Sequence, residues 1–158
     1  MSDYRWRRAI AVFELFGGSF GLQVAWRLFG QVGRIGIWFP LLVLVIFAGT
    51  TYAGVLLWRD HPQAETVSAF AQMVQIPVFL SPSIGYFCIA GLGLQLKWDT
   101  AWNLAFYVHI GALFHLAWGG DAPVTTLGIN VVPVAILIWL LRQPESTPAQ
   151  STEPALPN

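Results

Sequence analysis

The sequence predicts an integral membrane protein of mixed α and β structure. It should have two or three transmembrane helices, one amphipathic helix and a three-stranded antiparallel β-meander at the membrane surface. Three observations carry this. Residues 35–58, between Arg34 and Arg59, hold no charge and are long enough as a helix to cross a bilayer. A second uncharged run, 122–141, lies between Asp121 and Arg142. Between residues 92 and 118 the even positions, Thr100 and Ala112 apart, carry Leu92, Leu94, Leu96, Trp98, Trp102, Leu104, Phe106, Val108, Ile110, Phe114, Leu116 and Trp118. The odd positions there are mostly small or polar, and a period of two belongs to strands.

Composition agrees with lipid as the main solvent, since 56% hydrophobic and only 10% charged residues lie outside the usual soluble range. Lys plus Arg balances Asp plus Glu at eight each, which leaves no basic face for nucleic acid. Cys88 is the single cysteine, so no internal disulfide framework exists.

The first helix is expected over 9–29. Arg5, Arg7 and Arg8 followed by apolar residues imitate a secretory signal, but Glu14 interrupts the apolar stretch and no small-x-small site follows, so cleavage is not expected. Gly17, Gly18 and Gly21 lie close to one face and suit helix packing, with Gly17 and Gly21 forming a G-x-x-x-G pair. Glu14 projects near that face and is a candidate polar site, for a buried proton or an ion, against the plainer reading of a carboxylate at the interface. Residues 9–29 either span or lie along the membrane. Charge counting prefers the latter, with Arg5, Arg7, Arg8, Arg27, Arg34 and Arg142 cytoplasmic. In either case the N-terminus is expected in the cytoplasm, in a bacterial-type inner membrane.

The transmembrane helix over 35–58 carries Trp38 near one end and Trp58 at the other as interface anchors, and Gly49 with Ala53 as small-residue contacts. Over 63–76, Val67, Phe70, Ala71 and Val74 fall at i, i+3, i+4 and i+7, an amphipathic helix that should lie on the membrane or on the protein. Gln63, Gln72 and Gln75 occupy much of its other surface. The β-meander is expected over 86–118, with three-residue turns at 99–101 and 111–113. This register pairs Trp98 with Trp102 and Leu96 with Leu104, and sets His109 opposite His115. Its apolar face needs a cover, and Trp98, Trp102 and Trp118 suit the headgroup zone. The competing architecture is an all-α bundle of four or five transmembrane helices, because 76–96 and 100–118 are also uncharged runs or nearly so. A last transmembrane helix is expected over 124–141, with Asn130 able to bond a neighbouring helix. Residues 1–142 thus form one membrane-embedded domain, and the Pro-, Ser- and Thr-rich 143–158 a disordered tail.

No nucleotide, zinc-protease or serine-hydrolase motif occurs, and no cofactor is implied. The sequence therefore favours a non-enzymatic membrane protein acting through contact with itself or another membrane protein, in an accessory, scaffold or immunity-like role. Its partners are the lipid bilayer and protein, not nucleic acid. One alternative is an oligomeric pore in which glycine faces join protomers and Glu14 or Asn130 lines a path. Another is a metal-assisted enzyme using His109, His115 and Asp121 as ligands.

Overall fold

The computed structural model describes residues 2–118 and 124–142, an α+β arrangement of five helices and one four-stranded antiparallel sheet. The tail at 143–158, and Asp121 with it, lie outside the described residues.

Helix α1 (Ser2–Phe29) and helix α3 (Trp38–Trp58) form an antiparallel hairpin, and both are long and apolar enough to cross a membrane. Between them a single turn of helix, α2 (Val32–Ile35), ends at Gly36, whose φ of 75° lets the chain reverse. Glycine sets the close approach of α1 to α3. A Cβ on Gly18 would strike Thr51 and the Phe47 carbonyl, and one on Gly21 would enter the Phe47 ring, which is fully buried. The hydroxyls of Thr50 and Thr51 donate to the Ile46 and Phe47 carbonyls, 3.1 and 2.9 Å away, so α3 satisfies them internally. The helix ends in a Schellman motif. His61 N–H donates to Leu56 O at 3.0 Å and Asp60 N–H to Leu57 O at 3.4 Å, with Asp60 at φ 52° in the place glycine usually takes.

The sheet contains β1 (Pro77–Leu80), β2 (Ile84–Asp99), β3 (Leu104–Trp118) and β4 (Thr126–Asn130). This corrects the three-stranded meander. β2 and β3 pair along their whole lengths as one hairpin, so residues 111–113 continue a strand instead of turning. At that level Gly91 and Gly111 face each other at φ 92° and 114°. Both strands bend there, where glycine is the residue least strained. Parity survives but register moves by two: Trp98 pairs with Leu104 and Leu96 with Phe106. The tip spans residues 100–103, Trp102 takes φ 64°, and Asp99 holds the turn. Its carboxylate accepts the Ala101 and Asn103 N–H groups at 2.9 Å each and Asn103 Nδ2 at 3.0 Å.

β2 curls until both of its ends meet the same pair of strands. β1 pairs with its start, Val78 opposite Phe87, and β4 with its end, Gly128 opposite Lys97, while β1 and β4 pair with each other. Gly128 has no room for a Cβ, which would lie 2.6 Å from Leu96 O. The run expected as one helix over 124–141 is therefore divided into β4 and α5 (Val131–Leu141), whose 11 residues reach about 16 Å, half a hydrocarbon thickness.

Two cores lie along the α1–α3 hairpin. Near the α1 N-terminus, Ile10, Ala11, Leu56 and Leu57 pack with Ala64 of α4 (Ala64–Gln75) and Leu140 of α5. Toward its other end, Ala25, Val43 and Phe47 pack with Cys88 and Ala90 of β2, and with Tyr86, Ala112 and Phe114. The even face of the hairpin is thus covered by α1 and α3 only in the half nearer the strand ends that join β1.

α4 is turned inside out relative to the helix of a water-soluble protein. Ser68, Gln72 and Gln75 are buried, while Phe70 is 63% exposed, with Met73 and Val74 also outward. Instead of resting on a surface by its apolar stripe, it packs its polar stripe inward among α3, α5 and β2.

Candidate functional site

The polar stripe of α4 meets Glu14 of α1, and together they form a buried hydrogen-bonded centre. Ser68 Oγ donates to Glu14 Oε1 at 2.5 Å, and Gln72 Nε2 donates to the same oxygen at 2.7 Å. Glu14, Ser68 and Gln72 are all fully buried. Glu14 Oε2 and Gln72 Oε1 have no hydrogen-bond partner among the described residues. Seven residues earlier on each helix, Arg7 lies 3.6 Å from Glu65, and Asp60 joins them at 3.9 Å from Arg7 and 3.2 Å from Arg8. The Arg8 guanidinium also lies over the Tyr4 and Trp58 rings, at 5.0 and 4.5 Å. The arginines are thus engaged two turns away from the centre.

Gln75, further along the same stripe, and Asn130, at the end of β4, serve the backbone of β2. Neither β1 nor β4 reaches the middle of that strand, and its N–H groups there need partners. Ala90 N–H donates to Gln75 Oε1 at 2.9 Å and Leu94 N–H to Asn130 Oδ1 at 3.0 Å. Asn130 N–H in turn donates to Ile76 O at 2.8 Å, tying the start of α5 to the end of α4. Beside Asn130 in the sheet, Gln95 is fully buried with both side-chain polar atoms unpartnered among the described residues.

The glycines take different places. Gly17 lies so near β2 that a Cβ would strike the Ala90 carbonyl carbon and the Gly91 nitrogen, whereas Gly18 and Gly21 face α3. Ala53 is fully buried, and Gly49 has nothing within 4 Å of its Cβ position. Gly54 instead makes the close contact, against Ala11 and Leu15. The five tryptophans Trp38, Trp58, Trp98, Trp102 and Trp118 are all exposed, Trp102 by 89%.

The imidazoles do not meet. His109 pairs with Gly93 and His115 with Phe87, so roughly 20 Å of strand separates them, at a rise near 3.4 Å per residue. Each stacks on an aromatic ring: His115 on Phe87 at 5.0 Å, His109 on Tyr107 at 6.5 Å. No group of three or more His, Cys, Asp or Glu capable of holding a metal occurs among the described residues. The error lies in placing a turn at 111–113, because a glycine that bends a strand and one that ends it look alike in sequence. Lys97 reaches over the Phe87 and Tyr107 rings at 5.4 and 4.6 Å.

The other conspicuous surface is β3. Among the described residues it is an edge strand, paired with β2 alone, and in its first half Phe106, Val108 and Ile110 are 67%, 67% and 83% exposed.

Nothing in the sequence marks Ser68 or Gln95 individually. Ser68, Gln72 and Gln75 do fall at i, i+4 and i+7, a readable stripe, but spacing alone does not say which stripe turns inward. Comparison with protein-family models, curated proteins and solved structures finds no match for the chain.

Proposed function

We propose that the chain is an integral membrane protein that works without catalysis, as an assembly unit joined to a second copy of itself through β3. Lipid as solvent accounts for a surface that water would not tolerate. Large apolar side chains point outward from α1, α3, α4 and β3, far beyond the isolated patches of soluble monomers. The inside-out α4 fits the same solvent. In this reading Tyr4, Trp6 and Trp58 mark one interface, and Trp26 and Trp38, at the other end of the α1–α3 hairpin, mark the second. Arg5, Arg7, Arg8, Arg59 and Arg142 fall at the first level, because Leu140 packs beside Ile10 and Leu57. Arg27 and Arg34 lie at the other, so the positive-inside tendency favours a cytoplasmic N-terminus in a bacterial-type inner membrane.

The observation that carries the assembly is the free edge of β3. Its outward backbone groups have no water to bond within lipid, and an open sheet edge is not tolerated there. A second copy offers an identical edge, and antiparallel pairing about a two-fold axis satisfies both at once. The exposed Phe106, Val108 and Ile110 then lie beside the same residues of the partner copy.

The test is mass in mild detergent and in native nanodiscs, with Val108→Lys as the disrupting variant. The wild type should be dimeric, and the lysine variant monomeric with unchanged circular dichroism. A wild type monomeric in both media, or a lysine variant that keeps the dimer, would end the proposal.

A further inference from the structure

We propose that the Glu14 centre is a proton-binding site: Glu14 carries an exchangeable proton on Oε2 and pairs with the Gln72 amide as a neutral acid. The inference concerns a different part of the molecule from the β3 edge and does not depend on self-association.

Hydrogen-bond accounting leads to it. An ionised carboxylate is acceptor-only, with about four sites to fill. Glu14 receives two donors, both on Oε1, and none on Oε2. A neutral acid needs less: two donors on its carbonyl oxygen, which Ser68 and Gln72 supply, and one acceptor for its O–H. The acceptor in the same cluster without a partner is Gln72 Oε1. Protonation therefore converts two orphaned acceptors into a donor and an acceptor, the pairing of a carboxylic acid with a primary amide. Turning the Gln72 amide over does not remove the requirement, because its oxygen would then face Glu14 Oε1 and again only a proton could join them.

Neighbouring charge does not supply an alternative. On α1, Arg7 and Arg8 are paired with Glu65 of α4 and with Asp60. α3 and α5 hold no charged residue, and the one titratable side chain of α3, Tyr52, is exposed. β2 carries Tyr86 and Cys88 toward α3, and Lys97 and Asp99 at its far end. One carboxylate with neutral oxygens around it does not make a site for a divalent ion, which takes six or more oxygen ligands, commonly several of them carboxylates. A single positive charge fits, and the proton is the species that needs no cavity beyond the two side chains. Releasing it leaves a bare carboxylate against an amide oxygen, so deprotonation loosens the seam between α1 and α4.

Glu14→Gln provides the test, because glutamine copies the neutral acid: its carbonyl oxygen accepts from Ser68 and Gln72, and its N–H donates to Gln72 Oε1. Purified full-length protein would be followed by thermal unfolding between pH 6 and 9 and by infrared spectroscopy in the carboxylic C=O region. Wild type should show a protonated-carboxyl band at pH 7 that Glu14→Gln lacks. The wild-type Tm should fall as pH rises, while that of Glu14→Gln stays level and Glu14→Ala is low throughout. A missing carboxyl band overturns the proposal, as does a Glu14→Gln variant as unstable as Glu14→Ala. A wild-type Tm raised by NaCl but not by choline chloride, and insensitive to NaCl in Glu14→Gln, would replace the proton with a sodium ion.

Discussion

Replacing Gln75 with leucine isolates the contribution of one side chain to the curl of the sheet. In the native protein Gln75 Oε1 accepts the Ala90 N–H at 2.9 Å, in the stretch of β2 that neither β1 nor β4 covers. Leucine keeps the volume approximately but leaves that N–H buried and unpaired, which costs about 1–3 kcal/mol. Chemical unfolding in detergent micelles should register the loss. Hydrogen exchange should register it locally, with the Ala90 amide exchanging about 5- to 150-fold faster, the same free energy expressed as a ratio. Asn130→Leu should do the same at Leu94, where the bond is 3.0 Å. The two amides are four residues apart on β2 and have separate caps, so the double variant should be additive within about 0.5 kcal/mol. Gln63→Leu, on the exposed start of the same helix, should change stability by less than about 0.5 kcal/mol. A Gln75→Leu protein as stable as wild type, with Ala90 protection intact, would refute the idea that these side chains complete the ladder.

Other expectations are equally direct. Gly17→Ala should destabilise by about 1–3 kcal/mol in unfolding assays, because its Cβ must displace the β2 backbone, whereas Gly49→Ala should stabilise by about 0.5–1 kcal/mol, since nothing lies within 4 Å. Hydrogen bonds from the Asn103 side chain and backbone hold the Asp99 carboxyl below its ordinary 3.8. The stabilisation this gives the hairpin tip is complete above that value and disappears as pH falls through the lower, folded one. NMR titration of Asp99 should show Asn103→Ala moving the midpoint upward. Cys88 is fully buried, so maleimide should label it only after denaturation.

Periodicity was the legible part of this chain. The uncharged run ending at Trp58 reads directly as α3, and parity from Leu92 onward identifies strands where hydropathy alone would propose helices. Small-residue spacing marks Gly17, Gly18 and Gly21, each of which lies where a side chain would collide. What sequence does not express is partnership between distant segments. Val78 and Lys97 share Gly128 as a neighbour, a fact of the curled sheet that no local pattern encodes. Residues 126–130 are uncharged like the helix that follows them, and become a strand because two unpaired edges await them. The same reason hid the role of Asn130, which caps β2 from a position that looks like the start of a helix. The amphipathic period of α4 was visible, but its inward face depends on solvent, and a polar stripe turns outward in water and inward in lipid.

The position of β4 in the strand order has a consequence for biosynthesis. This segment, the last to be translated among the sheet's members, is seated between β1 and the far end of β2. A nascent chain can assemble the α1–α3 pair and extend the long hairpin early, yet it cannot close the ring until residue 130 has left the ribosome. A chain that stops before Thr126 leaves the β1 edge and the far end of β2 without the strand that pairs with both.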